Sequence, residues 1–199
     1  MSEPRFPTQL QMIWPRVRLA TPPAPRVAPG YTLRTYRVGD EARFVELLRL
    51  AGWSNWGDEL LRAWVPRILP DGWFMVVHEA SGEIAATAMA VHSHAPEHPF
   101  GGELGWVAAD PLHLGRGLGK DVAAAVTARL LRGGYRRIHL YTEDFRLPAL
   151  RSYLSLGYVP FLCAADMAGR WQAVCEGVNW PFMPDTWRAD SEAYLGMPP

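Results

Sequence analysis

The spacing of apolar positions changes period several times along the chain, and each change marks an element. YTLRTYR (Tyr31–Arg37) alternates β-type and polar residues and predicts a strand. GDEARFVELLRLAGW then places Phe44, Leu47, Leu48 and Leu50 near helical spacing behind Asp40, a cap residue. DELLRAWVPRIL repeats that arrangement behind Asp58. GWFMVVHEA and GEIAATAMAVHS read as two strands joined at Ala80-Ser81-Gly82, a hairpin signal, followed by the loop HAPEHPFGG. ELGWVAAD (Glu103–Asp110) predicts a further strand, and GKDVAAAVTARLLRGG an Ala- and Leu-rich helix closed by Gly133-Gly134. YRRIHLYTED predicts a strand, LPALRSYLSLG a short helix with Pro148 in its first turn, and YVPFL a last strand. ADMAGRWQAVCEGV is helical in pattern, and the remainder, NWPFMPDTWRADSEAYLGMPP, reads as an irregular aromatic tail. Ahead of these elements, QLQMIWPRVRL can add only a short edge strand because of Pro15, and TPPAPRVAPG is an extended connector.

The order β–α–α–β–β–β–α–β–α–β predicts an α+β, α/β/α-layered domain with a mixed sheet. The expected organisation is a Pro-rich N-terminal extension (residues 1–30), a catalytic-size domain (31–178) and an aromatic tail (179–199) that packs on the domain or on a partner.

Charge narrows the function. Lys plus Arg and Asp plus Glu both number 20, so the chain lacks the basic excess of a general nucleic-acid binder. No apolar run approaches the roughly 18 residues of a membrane span, and prolines and charges fill the start, where a signal peptide has an apolar core. Cys163 and Cys175 form no CxxC pair and have no metal-spaced partners, which fits a reducing, cytoplasmic setting and predicts no metal site. No carboxylate or further His completes a clear ligand set with His92, His94 and His98 in HSHAPEH, so metal binding there is the lesser reading; they read as surface or proton-relay histidines, as does His113.

The chemistry concentrates in DPLHLGRGLGKD (Asp110–Asp121), a glycine-rich turn between a strand and a helix. Free N–H groups and the dipole at a helix start favour an anion there, and glycines let the backbone approach it. A nucleotide P-loop needs GxxxxGK followed by Ser or Thr; here Lys120 is followed by Asp121, and position 114 is Leu. A dinucleotide fingerprint needs GxGxxG after the first strand; the spacing here is GxGxG, after three or more strands.

Leu114-Gly115-Arg116-Gly117-Leu118-Gly119 resembles the R/Q-x-x-G-x-G/A pyrophosphate loop of the GNAT superfamily of acyl-CoA N-acyltransferases, with Leu in place of the first Arg or Gln. ELGWVAADP is similar to that family's central strand. TEDFRLPALRSYLSLGYVPF is similar to its second signature, N-x-x-A-x-x-x-Y-x-x-x-G-F, with Ala149, Tyr153, Gly157 and Tyr158 in register and Arg146 at the Asn position. The likeness runs from about Tyr31 to Phe161 and implies a mixed sheet with strands four and five splayed, helices on both faces, and acetyl-CoA (coenzyme A) in the opening. It implies that Val107, Ala108 and Ala109 pair with the pantetheine arm, and that the amides of Gly115, Arg116, Gly117, Leu118, Gly119 and Lys120 bind the diphosphate, with Arg146 beside the cofactor.

By the same likeness Tyr153 is the acid for the leaving thiolate, although its spacing also fits a core aromatic. Glu103 stands where some members carry a catalytic base; an Arg-paired strand-edge carboxylate is the other reading. In an unbulged strand Glu103, Gly105 and Val107 share one face. The acceptor is an amine, on a small molecule, a protein N-terminus or a lysine. Trp53 and Trp56, three apart in AGWSNWGDELLRAW, are either an aromatic wall for that acceptor or core filling. Trp106 reads as core or cofactor packing, and Trp180, Phe182 and Trp187 as a cover for the cleft or a dimer contact. The implied activity is N-acetyl transfer by direct attack in a ternary complex. The alternative is a catalytically weak acyl-CoA sensor or scaffold of the same fold, and a homodimer is compatible with either.

Overall fold

The computed structural model describes residues 9–164 and 166–197. Residues 1–8 of the expected extension, Ala165 and the last two residues of the tail lie outside the described residues. Seven strands form one mixed sheet: β1 (Leu10–Ile13), β2 (Tyr31–Thr35), β3 (Ile68–His78), β4 (Ile84–Ala95), β5 (His98–Ala109), β6 (Ile138–Thr142) and β7 (Val159–Pro160), in the spatial order β2-β3-β4-β5-β6-β1-β7. Among the described residues six α-helices accompany them: α1 (Glu41–Leu50), α2 (Asp58–Trp64), α3 (Leu118–Arg132), α4 (Leu147–Leu156), α5 (Met167–Val178) and α6 (Pro184–Leu195).

Two apolar clusters sandwich the sheet. Phe44, Leu47 and Leu48 of α1 and Leu61 of α2 pack with Met75, Met89 and Val91 on one face. Val122, Val126 and Leu130 of α3, Leu150 of α4 and Trp171 of α5 pack with Val76, Leu104 and Leu140 on the other. The layers are those expected from the element order.

Four local expectations change. The N-terminal segment is an interior strand, not an edge strand: β1 pairs antiparallel with β6 on one side and β7 on the other. Pro15 lies just beyond the last paired residue, so it ends the ladder without interrupting it. Leu10, Met12 and Ile13 are fully buried, which explains why this segment joins the sheet instead of trailing from it. The expected loop 94–102 is a tight turn at Pro96-Glu97, because β4 continues to Ala95 and β5 starts at His98. The helix begun at Asp58 stops at Trp64, since Pro66 withholds an amide and turns the chain into a 3-10 turn before β3. The irregular tail contains α6, which buries Trp187 and Tyr194.

The β4–β5 hairpin is tight enough for one glycine to be obligatory. A Cβ on Gly101 would lie 2.7 Å from the Ser93 carbonyl oxygen, 2.8 Å from the His98 carbonyl oxygen and 2.8 Å from His139 Cε1. Backbone atoms cannot yield as side chains do. Gly101→Ala is therefore expected to destabilise the fold by about 2 kcal/mol, an overpacking cost, read as a lowered midpoint in urea unfolding.

Candidate active site

The end of β5 is anchored before the glycine turn begins. Asp110 accepts the Leu112 amide at 2.8 Å and pairs with the Arg43 guanidinium of α1, and these contacts hold its carboxyl below the usual range despite burial. The chain then passes Leu114, whose side chain is exposed at the position where the family pattern has Arg or Gln. Gly115 and Gly117 both sit at φ +77°, which glycine adopts without strain, and a Cβ on either would meet nothing within 4 Å. Helix α3 starts at Leu118, and its first return bond runs from the Asp121 amide to the Gly117 carbonyl. The amides of Leu118, Gly119 and Lys120 precede that bond and have no partner inside the helix. The Asp121 carboxylate is taken up by the Arg26 amide at 2.8 Å. Open amides at the positive end of a helix form an anion cradle.

A groove of about 770 Å³ runs from this turn along Val107, Ala108 and Ala109 to Pro148, Ala149, Ser152 and Tyr153 of α4. Its size suits an elongated cofactor. Lys120, His113 and Arg146 line it; Arg116 does not, its guanidinium standing 5.7 Å from the Tyr31 ring. The open backbone at Gly115 and Gly117 and the groove beyond it fit a diphosphate joined to a long flexible arm.

The opening between β5 and β6 has a geometric cause. These parallel strands pair only at Gly102 with Ile138 and Glu103 with His139, and separate after that. On the other side of β5, Met89 opposes Gly105 and Thr87 opposes Ala108, so Trp106 and Val107 together face Ala88. This is a β-bulge, with Trp106 at φ +53°. The bulge corrects the expected alternation. Glu103 shares its side with Gly105 and then with Ala108, while Val107 turns toward the cluster under α3. The extra residue of the bulge stands where two cavities meet.

The second cavity, about 310 Å³, is lined by Trp53, Trp64, Glu103, Gly105, Trp106, Tyr141 and Glu143. It shares Val107, Arg146, Ala149 and Tyr153 with the first. Tyr153 lies on the buried face of α4 and lines both cavities. Burial pushes its phenol up, opposed by the nearby Arg146. Glu103 is largely buried, and this raises its carboxyl, with the Ser93 hydroxyl and Arg67 acting in the opposite direction. Arg146 pairs with Glu143, donates to the Ala51 carbonyl at 2.9 Å and lies 4.1 Å above the Trp53 ring. It thereby ties the end of α1 to the β6–α4 turn across the junction.

Trp53 lines the second cavity, but Trp56 does not. It is 1 % exposed, packed edge-on against Phe44 and against Trp106 at 4.5 Å. Trp106 and Trp64, not Trp56, complete the wall. The histidines of HSHAPEH do not converge: His92 bonds the Tyr135 hydroxyl, His94 accepts the Phe100 amide, and His98 is buried among Gln11 and Tyr194. Tyr141, Glu143 and His139 were not singled out from the sequence. Their one signal was a strand, YRRIHLYTED, with polar residues at alternate positions, which looks the same whether the polar face meets water or a cleft.

A mixed sheet split between two parallel strands, with a glycine anion cradle at one end of the split, defines an acyl-CoA-binding transferase fold. Residues 41–158 match the Acetyltransferase (GNAT) family, and the chain belongs to that family, whose cofactor is acetyl-CoA. It is 32% identical over 160 residues to a mycothiol acetyltransferase of Nocardia farcinica, covering 73% of this chain and 51% of that protein. It is 31% identical over 164 residues to a mycothiol acetyltransferase of Thermobispora bispora, covering 76% of this chain and 55% of that one. The chain thus spans about half the length of these curated relatives. Among solved structures, a GCN5-related N-acetyltransferase from Sphaerobacter thermophilus superposes with a TM-score of 0.59 at 24% identity, over 77% of this chain and 49% of that one. No helix among the described residues is long and apolar enough to cross a membrane.

Proposed function

We propose that this chain moves the acetyl group of acetyl-CoA to a primary amine held in the smaller cavity. The observation that carries the reading is the junction: a groove of about 770 Å³ and a cleft of about 310 Å³ share Tyr153, Val107, Arg146 and Ala149. Donor and acceptor can then occupy the protein together, as direct transfer requires. Acetyl-CoA, when bound, supplies an activated acyl carbonyl and a thiolate leaving group. The amides of Leu118, Gly119 and Lys120 would hold its diphosphate, and the edge of β5 from Val107 to Ala109 its arm.

Each remaining role falls to a residue of the chain. Glu103 accepts a proton from the acceptor ammonium, its burial having raised its affinity for one. Tyr153 keeps its proton at neutral pH, since burial favours the neutral phenol, and holds it at the junction for the departing sulfur. Trp53, Trp64 and Trp106 offer flat apolar faces beside a carboxylate, a setting that suits an ammonium carried on a ring or an alkyl stem. The names of the curated relatives make an acceptor of the mycothiol system the first to try, ahead of protein N-termini and lysines.

The test pairs calorimetry with turnover. CoA is expected to bind with sub-millimolar affinity, with ATP and NAD much weaker. Thiol release from acetyl-CoA is expected to depend on one class of amine in a panel. Tight CoA binding with no turnover on any amine would favour the sensor or scaffold reading instead.

A further inference from the structure

Behind Glu103, away from the cavity, lies a buried pair of histidines that the reaction described above leaves unused. His139 is fully buried, and among the described residues neither of its ring nitrogens has a hydrogen-bond partner. Its Nε2 is 4.0 Å from Glu103 Oε2, and the two residues are direct partners in the short parallel ladder. The fold makes room for this ring: Gly101 lies so close that a Cβ there would be 2.8 Å from His139 Cε1.

His98 stacks on it at 3.8 Å, nearly parallel at 6°. The partners of His98 fix its state. Gln11 Oε1, an acceptor, lies 2.7 Å from Nε2, so Nε2 donates. The Tyr194 hydroxyl, 2.8 Å from Nδ1, then donates to the remaining lone pair. His98 is thus a neutral ring with both nitrogens satisfied, and burial holds its pKa down at about 4. His139, buried against it, is likewise held well below the usual histidine range. A neutral imidazole has one N–H. The group that can best use it is the Glu103 carboxylate, which only accepts.

We propose that His139 is the positioning residue of Glu103: its Nε2–H tethers Oε2 of the carboxylate, leaving Oε1 to face the acceptor. This rests on the reading of Glu103 as the base. A distance of 4.0 Å exceeds a hydrogen bond, and a shift of about 1 Å closes it. Glu103 Oε1 lies on the Gly105 side, 3.6 Å from where a Gly105 Cβ would stand, and Gly105 lines the acceptor cleft. The tether favours the ionised carboxylate, the form that works as a base, and so opposes burial. Without it, Glu103 would titrate higher.

Other groups act on the same pair and stay in place when His139 changes. Arg67 and the Ser93 hydroxyl stabilise the Glu103 carboxylate from the β4 side. The Tyr141 ring stands edge-on to His139 at 5.3 Å; its phenol, pushed up to about 12 by burial and by Glu103 and Glu97, stays neutral near pH 7. Burial and then the Arg137 charge hold His98 down, whereas burial pushes the Tyr194 phenol up and Arg137 offsets only part of that rise.

The experiment uses His139→Phe, which keeps the stack on His98 and removes the donor, and His139→Gln, whose amide can place N–H near the former Nε2. His139→Asn, which puts no donor at that position, substitutes for the Phe variant should that not fold. In the ligand-free protein, carbon-detected NMR titration of the glutamate carboxyls, with Glu103→Gln assigning the signal, is expected to place Glu103 about one pH unit higher in the Phe variant. The Gln variant is expected to bring it back. The acidic limb of kcat/KM should move with it. An unchanged Glu103 titration in the Phe or Asn variant overturns the tether. Loss of stability in all variants with no titration shift also overturns it, as a packing role only. An acidic limb that survives in Glu103→Gln refutes the base reading instead, and the tether is then decided by the NMR titration alone.

Discussion

Replacing Tyr153 with Phe is expected to lower kcat about 100-fold or more, the range general acids supply, while CoA affinity stays within about threefold. The substitution removes one oxygen from a ring buried on α4. No ring packing is lost, because the ring remains. What is lost is a proton at the point where the two cavities meet. An effect confined to kcat with KM unchanged identifies an interaction made only in the transition state. The pH dependence discriminates further. Burial keeps the Tyr153 phenol neutral above pH 10, so the native enzyme should lose no activity to its ionisation across the neutral range. If Tyr153→Phe turned over within about threefold of the native enzyme, the tyrosine would be a core aromatic and another group would have to serve the thiolate.

What could be read from the sequence, and what could not, divides along the range of the interactions. The glycine turn was readable because a backbone at φ +77° restricts residue type at the position itself, whatever surrounds it. The helices α1, α3 and α4 were readable because each writes its buried face as a local period. β1 was readable as a short strand but not in its interior place, because its two neighbours, β6 and β7, come more than 120 residues later in the chain. The bulge at Trp106 left no sign either: a tryptophan at positive φ is locally unfavourable, and it is held there by packing against Trp53, Trp56 and Trp64. Those four rings come from two separate stretches of chain, Trp53 to Trp64 and, more than 40 residues on, Trp106. The same is true of His139 beside Glu103, a pairing created by the 36-residue return from β5 to β6 and marked by nothing in either strand.

Gly117→Ala is expected to raise KM for acetyl-CoA about 30-fold with kcat nearly unchanged, because one charge-assisted backbone hydrogen bond contributes about 1.5–3 kcal/mol. Gly117 stands at φ +77°, ψ 6° immediately before α3. An L-residue there costs about 1–2 kcal/mol, which the loop can relieve only by rotating away from that conformation. Rotation would re-aim the amides of Leu118 and Gly119 that face the groove. Steric conflict with the rest of the protein is not the cause, since an added Cβ meets nothing within 4 Å. The variant should therefore fold, with a melting temperature lower by about 2–4 °C per kcal/mol of strain. Gly117→Asn separates the two consequences. Asn tolerates the left-handed region better than Ala, so its melting temperature should recover toward native. Its side chain would still occupy the open space over the cradle, so KM should remain high. Calorimetric titration of CoA against all three proteins gives the comparison directly. Native-like CoA affinity in both variants would remove the diphosphate from this turn and leave the groove without an anchor at that end.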